Sequence, residues 1–329
     1  MPDKLNLPKV SFVVISHNFE KYILGCLESI KKQSYDNFEI IVVDDCSSDS
    51  TGLIIEDFAR SNRHLDIIFV KNHENMGQLA SFLEGVKIAR GEFVSQIDGD
   101  DVLLEDYALS HIETHLKTCV ALTSCQNLDI DENNTVHSFS SIDCPRDSQQ
   151  EFSLNAKNAG EIGCLIAPVK TEEELEVKIL SNDKYNYATW HWAPASSGMI
   201  RKSVCDLLLM IKRPKDIKIT ADKFVFSFAH LVGSSAIIYK PLYAYRKHQT
   251  NYSLANPVFG SVRYLRTKTQ KNYIRNNKLI RQAMLGFVLS NYNAFVETFN
   301  KANVRRMIKK IIFSFDISTL KSAIKSLFI

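Results

Sequence analysis

The stretch KVSFVVISHNFEKYILGCLESIKKQSYDNFEIIVVDDCSSDSTG, residues 9–52, decides the fold. Val10–Ser16 (VSFVVIS) and Glu39–Asp44 (EIIVVD) are short, β-branched and almost continuously apolar, as strands covered on both faces are. Between them, Tyr22–Lys32 repeats apolar residues at three- and four-residue spacing and reads as a helix. The two strands begin 29 residues apart, the length of one right-handed crossover unit, so they are expected to lie parallel. Downstream the alternation continues: helices at Thr51–Ser61 and Gln78–Arg90, strands at Asp66–Val70 and Glu92–Ile97, and a fifth strand at Cys119–Cys125. The pattern predicts an α/β protein with a Rossmann-like, mostly parallel central sheet flanked by helices. Ligands of such sheets bind beyond the carboxyl ends of the strands.

The segment Asn127–Ala188 is polar and irregular, with one predicted helix at Glu172–Leu180, where Thr171 and Glu174 have capping-box spacing. Pattern then returns as a short strand at Gly198–Ile200, helices at Ser203–Ile211 and Asp222–Leu231, and one or two strands in Ala236–Tyr245 broken at Pro241. From Val262 onward the chain reads as helix. This divides it into residues 1–126, 127–253 and a basic helical C-terminal extension, 254–329.

With 45% hydrophobic residues in 329, the chain can bury a large core, which excludes a disordered protein. Glycine and proline together number only 20, excluding fibrous and low-complexity classes. The seven cysteines are odd in number and form no Cys-x-x-Cys pair, so a reducing compartment is expected rather than a disulfide framework or zinc ribbon. Met1–Lys9 is polar and lacks the features of a secretory leader, which points to a cytoplasmic protein. The longest uncharged run, Phe224–Tyr239, has 16 residues, short of a bilayer span. Residues 263–329 hold 14 Lys/Arg against two acids, a charge of +12, and the rest of the chain carries −9. A basic tail on an acidic body points to an anionic partner.

Acidic residues fall where the sheet predicts a site: Asp44 and Asp45 at the end of strand two, then Asp98, Asp100 and Asp101 at the end of strand four. The bare pattern is weak, since 20 aspartates produce about one Asp-x-Asp by chance, and Asp129-Ile130-Asp131 is a second, read as a hairpin turn. Position makes the first one distinctive. Two carboxylates one residue apart at a strand end can hold a hard divalent cation that binds phosphate oxygens on its other side.

Together with NHENMGQLASFLEGVKIARGEFVSQIDGDD (residues 72–101), the opening stretch resembles the nucleotide-sugar-binding half of family 2 glycosyltransferases with the GT-A fold. The resemblance is strong over residues 9 to 126 and looser over Trp192–Ser253. It implies an inverting, metal-dependent glycosyltransferase that uses a nucleotide-diphosphate sugar, a UDP-sugar by expectation. In that reading Asp45 contacts the base and Ser16 and Asn18 line the nucleoside pocket. Asn75 and Gly77 meet the family's Asn-x-Gly, Asp98 serves the ribose, and Asp100 holds Mg or Mn. One departure is plain: the family's Ala-Arg-Asn is Ser81-Phe82-Leu83 here.

For the catalytic base, the resemblance points to Asp222 in Ile219-Thr220-Ala221-Asp222, where Ala221 replaces the usual Glu. The bland reading of Asp222 is a carboxylate favoured by a helix N-terminus. Tyr245-Arg246-Lys247-His248 resembles the segment that closes over the diphosphate, with Arg246 on the nucleotide-sugar and His248 on the metal or a phosphate. Trp190 and Trp192 are candidates for stacking on the acceptor, or core residues. His111 and His115 have metal-pair spacing but no third ligand, and read as a solvated helix face. In Lys301–Phe315, apolar residues at three- and four-residue spacing alternate with bases, so residues 301–329 are expected either to meet an anionic membrane surface or to pack on the domain.

The acceptor implied is a glycan or lipid-linked glycan in cell-surface polysaccharide synthesis at the inner membrane face. No nucleic-acid module is present. Two alternatives stay open: a sugar-1-phosphate nucleotidyltransferase, though Ser16-His17-Asn18-Phe19-Glu20 lacks the Gly-rich basic loop it needs, and an inactive homologue acting as a membrane-associated assembly subunit.

Overall fold

The computed structural model describes residues 7–140, 175–183, 191–217, 221–249 and 269–313. Its elements in chain order are β1 (Val10–Ser16), α1 (Ile23–Lys31), β2 (Phe38–Asp44), α2 (Thr51–Ser61), β3 (Ile67–Lys71), α3 (Gln78–Ile88), β4 (Phe93–Asp98), β5 (Val102–Leu103), α4 (Tyr107–Thr118), β6 (Leu122–Ile130), β7 (Val136–Ser140), β8 (Val177–Leu180), β9 (Gly198–Arg201), α5 (Lys202–Leu208), α6 (Ala221–Gly233), β10 (Ser235–Arg246), α7 (Thr269–Ser290) and α8 (Tyr292–Phe313).

One ten-stranded sheet runs in the order β3-β2-β1-β4-β9-β6-β10-β5, with β7 beside β6 and β8 beside β10. The β3, β2, β1 and β4 pairings are parallel, as is β6 with β10, whereas β9 runs antiparallel between β4 and β6. Thus strands from residues 1–126 and 127–253 form one sheet. Every residue of β1 is buried. Its side chains alternate between two cores, Val13 and Ile15 on one face and Val10, Phe12 and Val14 on the other. Gly85 of α3 crosses β1 so closely that an added Cβ would lie 2.3 Å from Val13 Cγ1, which sets the helix directly on the strand.

The C-terminal helices belong to the Val13 core. Met284, Leu285 and Val288 of α7 and Phe295, Val304, Met307 and Ile311 of α8 pack with Phe224, Val225 and Phe228 of α6. The Phe228, Phe287 and Phe295 rings meet at centroid distances of 5.4–6.0 Å. The apolar stripe of residues 301–313 is therefore spent on the domain, the second of the two expectations for this segment. Among the described residues no helix is long and apolar enough to cross a membrane.

Three further expectations change. Residues 177–180 are a strand, not the end of a helix: they pair antiparallel with Ser235–Ile238 of β10. Thr171 and Glu174 lie outside the described residues. The fifth strand starts at Leu122 and extends to Ile130, and Pro241 is absorbed by register shifts within one continuous β10. His111 and His115 are fully buried rather than solvated. The helix is rotated so that Tyr107, His111 and His115 face β6 and β9 while Leu116 is 59% exposed. His111 Nδ1 lies 2.6 Å from Thr123 Oγ1, and His115 Nε2 lies 3.1 Å from the Met199 carbonyl oxygen.

Candidate active site

The loops after β1, β2 and β4 meet at the carboxyl edge of the sheet. Ser16 ends β1 fully buried, and its carbonyl accepts the Asp45 N–H at 2.8 Å. The Ser16 hydroxyl is a buried polar group with no partner among the described residues. Asn18, exposed and at φ 57°, accepts the Ser48 N–H on Oδ1 at 2.9 Å, which laces the first loop to the second.

The adjacent aspartates of strand two have separate jobs. Asp44 is fully buried and its Oδ1 accepts both the backbone N–H and the hydroxyl of Ser47, closing the turn. Asp45 clamps the loop before α3: Oδ1 accepts from Asn72 Nδ2 (2.9 Å) and Met76 N (2.7 Å), and Oδ2 from Gly77 N (2.8 Å). Gly77 has φ 84°, a left-handed conformation that side chains disfavour, so glycine is what lets its N–H turn toward Asp45. Asn75 is exposed on the same loop. Asn72 Nδ2 also reaches Ser81 Oγ at 3.0 Å, while Phe82, in the place of the family arginine, is fully buried in the core.

At the end of β4, Asp98 Oδ1 accepts from Gln78 Nε2 at 2.8 Å, and the Asp98 N–H donates to Ser196 Oγ at 3.0 Å. Ser196 in turn donates to Asp101 Oδ2 at 2.6 Å, and Asp101 Oδ1 accepts the Arg246 N–H at 3.0 Å. Asp101 and Ser196, both fully buried, are thus positioning residues; Asp101 is among the acids expected at this strand end, whereas sequence reasoning missed Ser196. Burial, then the charges of Asp100 and Asp98, push the Asp101 carboxyl well above the usual range.

Asp100 and His248 come together from distant parts of the chain, with His248 Nε2 donating to Asp100 Oδ2 at 2.8 Å. The imidazole lies against Tyr22 (centroids 4.8 Å) and edge-on to Phe19 (6.0 Å). Arg246 is 3% exposed. Its Nε donates to the Asp100 carbonyl (2.7 Å), Nη1 to the Asp131 carbonyl (2.9 Å) and Nη2 to Asn134 Oδ1 (2.7 Å), and Cζ lies 5.0 Å from the Tyr22 ring centroid. The guanidinium therefore ties the Asp98–Asp101 loop to the β6–β7 hairpin, which turns at Asp131–Asn134 as expected.

Burial, then the Asp100 charge and, less strongly, the Asp222 charge raise the Asp98 carboxyl to about 7. Asp222 stands in the first turn of α6, with Oδ1 accepting the Lys223 N–H at 2.8 Å. Burial raises its own pKa against the pull of that bond and of the Lys223 charge. Burial also lowers Lys223 to about 8.

An oxygen and a nitrogen from Asp100 and His248 face each other, a donor pair suited to Mn and, through the carboxylate, to Mg. Among the described residues no three His, Cys, Asp or Glu side chains form a metal cage, so further ligands would come from water and a phosphate-bearing ligand. Trp192 does not face this cleft. It is fully buried, donates from Nε1 to Ser235 Oγ at 3.0 Å and packs edge-on against Phe226, which makes it a core residue and corrects the acceptor-stacking assignment. Trp190 lies outside the described residues.

EpsH of Bacillus subtilis, named as a glycosyltransferase, is 39% identical over 110 residues, which is 33% of this chain and 31% of EpsH. The chain thus matches about a third of the length of the first curated relatives. The crystal structure of S. aureus TarS 1-349 in complex with UDP aligns over 94% of this chain and 93% of that one, with TM-score 0.53 and 18% identity. The mannosyltransferase PcManGT from Pyrobaculum calidifontis, in complex with GDP-Man and Mn2+, aligns over 100% and 89% with TM-score 0.52 and 15% identity. These likenesses give the same fold, a GT-A architecture with C-terminal helices. Residues 11–167 match the family model described as Glycosyl transferase family 2.

Proposed function

We propose that the protein is an inverting, metal-dependent glycosyltransferase. It would move a sugar from a nucleotide-diphosphate donor, a UDP-sugar, to a glycan or lipid-linked glycan in cell-surface polysaccharide synthesis. The observation that carries this reading is the meeting, at the carboxyl end of β4, of Asp98 held by Gln78 and Asp100 bonded to His248 from beyond the end of β10.

Asp222 takes the proton of the acceptor hydroxyl as its oxygen attacks the anomeric carbon. The bond to the donor phosphate breaks on the opposite face, and its electron pair leaves with the diphosphate. A carboxylate whose pKa is raised by burial is a stronger base for this step than an exposed one. Mg or Mn, held by Asp100 and His248, would supply positive charge at the leaving diphosphate. Ser16, Asn18, Asp45, Asn75 and Gly77 form or support the nucleoside side of the cleft, with Asp98 toward the ribose. Arg246 holds the loop of Asp100 in place and adds positive charge beside it. The UDP bound to TarS and the GDP-Man and Mn2+ bound to PcManGT support the donor class and the cation.

A thermal-shift panel of UDP, GDP, CDP and ADP, each with and without Mn, tests the reading, because a ligand of the native state raises the melting temperature. One diphosphate should stabilise the protein in a Mn-dependent way, with UDP strongest. No stabilisation by any of them would reject a nucleotide-sugar site.

A further inference from the structure

The second half of α8 carries a charge array with no acidic partner among the described residues. The helix breaks at Asn300 (φ 63°, ψ 160°), whose Oδ1 accepts the Asn303 N–H at 3.0 Å and caps a new helical segment. In that segment Val304, Met307 and Ile311 are buried in the core. Lys301, Arg305 and Lys309 recur every four residues, with Arg306 beside them, and all four are exposed. At 100° per residue they centre on the side opposite the buried stripe. The array extends about 12 Å along the helix at the usual rise. None of the four makes an ion pair with another described residue. The nearby acid is Asp183, which Lys310 already binds at 3.1 Å and which Arg306 also influences.

Folding gives no reason for this arrangement. Lys301–Arg305, Arg305–Lys309 and Arg306–Lys310 are like-charge pairs at four-residue spacing, which weaken a helix, and Lys301 sits at a helix N-terminus, which disfavours cations. No acidic residue occurs from Thr298 to Phe315 to relieve the repulsion. The other exposed residues of the first turn are Ala302 and Asn303, so the face carries no aromatic platform for nucleic-acid bases. A straight, convex row of bases, fixed at its back by the core, matches a flat anionic surface.

We propose that this face of α8 docks on the headgroups of an anionic lipid bilayer, by charge alone and without insertion of the helix. Docking would hold the domain against a membrane independently of donor binding, and its test reads binding only, so it stands or falls apart from the glycosyl-transfer reading.

The test is flotation of the full-length protein with phosphatidylglycerol-containing vesicles and with phosphatidylcholine vesicles. The quadruple variant Lys301→Gln, Arg305→Gln, Arg306→Gln, Lys309→Gln is compared with a charge-matched control, Lys32→Gln, Lys117→Gln, Lys212→Gln, Arg213→Gln, which alters exposed bases elsewhere. The intact chain should bind only the anionic vesicles, and high salt should release it. The α8 variant should lose roughly fivefold in partitioning per charge removed while keeping or slightly raising its melting temperature, and the control should bind much better than that variant. Equal loss in both variants would assign the effect to net charge and overturn the proposal. Binding that survives in the α8 variant, or a preference for single-stranded RNA over vesicles, would overturn it as well.

Discussion

His248 Nε2 lies 2.8 Å from Asp100 Oδ2 across 148 residues of sequence, joining the segment after β10 to the loop after β4. Arg246, two residues earlier, bonds the Asp100 carbonyl, so one strand end fixes both the side chain and the backbone of the central carboxylate. The site is therefore built by the second half of the sheet closing on the first.

Asp222→Asn should separate chemistry from binding. Loss of the proton acceptor is expected to lower kcat by about 100- to 10,000-fold, with donor KM changed by less than about threefold. Because the fold raises the Asp222 pKa, the neutral amide should leave thermal stability unchanged or raise it. Steady-state kinetics and a melting curve check both; an active Asn variant would remove Asp222 from the mechanism.

The buried imidazoles should stay neutral in mild acid. Burial lowers His115 and His230 to about 3 and takes His111 well down. Their unfolded forms bind protons below about 6.5. Each thus contributes stability that is complete above that pH and lost as pH falls toward about 3, by up to about 1.4 kcal/mol per pH unit. Asp98, raised to about 7, acts in the opposite sense over the same window. Ring NMR signals isolate the histidines: those of the three should not shift between about pH 7 and pH 5, and a midpoint near 6 would show that the rings are not held neutral.

Phe295 is fully buried between Phe228, Phe287 and Phe299. Phe295→Ala should cost about 3–5 kcal/mol in chemical denaturation. Since Phe228 lies on α6 with Asp222, activity should also become more heat-sensitive. A cost below about 1 kcal/mol would mean that the C-terminal helices are not part of the core.

The βαβ half was legible because its strands are covered on both faces. VSFVVIS has no polar face to confuse it, and its expected and observed bounds coincide. Asp45, Asp98 and Asp100 could be placed because strand ends mark a cleft whatever the side chains do later. What was lost depends on distant partners. Ser196 and Gln78 are ordinary polar residues until Asp98 is set between them. Val177–Leu180 has helix-compatible spacing, and its pairing with β10 decides the outcome. His111 and His115 read as solvated because periodicity gives the spacing of a face, not which face β6 and β9 will cover.

Titration calorimetry of UDP into the intact protein, in Mn and in chelator, tests the shared cleft most directly when the wild type is set beside Asp100→Asn and His248→Ala. Binding should require Mn, and each substitution should weaken it by about tenfold or more through lost coordination. UDP affinity that is indifferent to Mn and to both substitutions would contradict the assignment of Asp100 and His248 to a cation-diphosphate site.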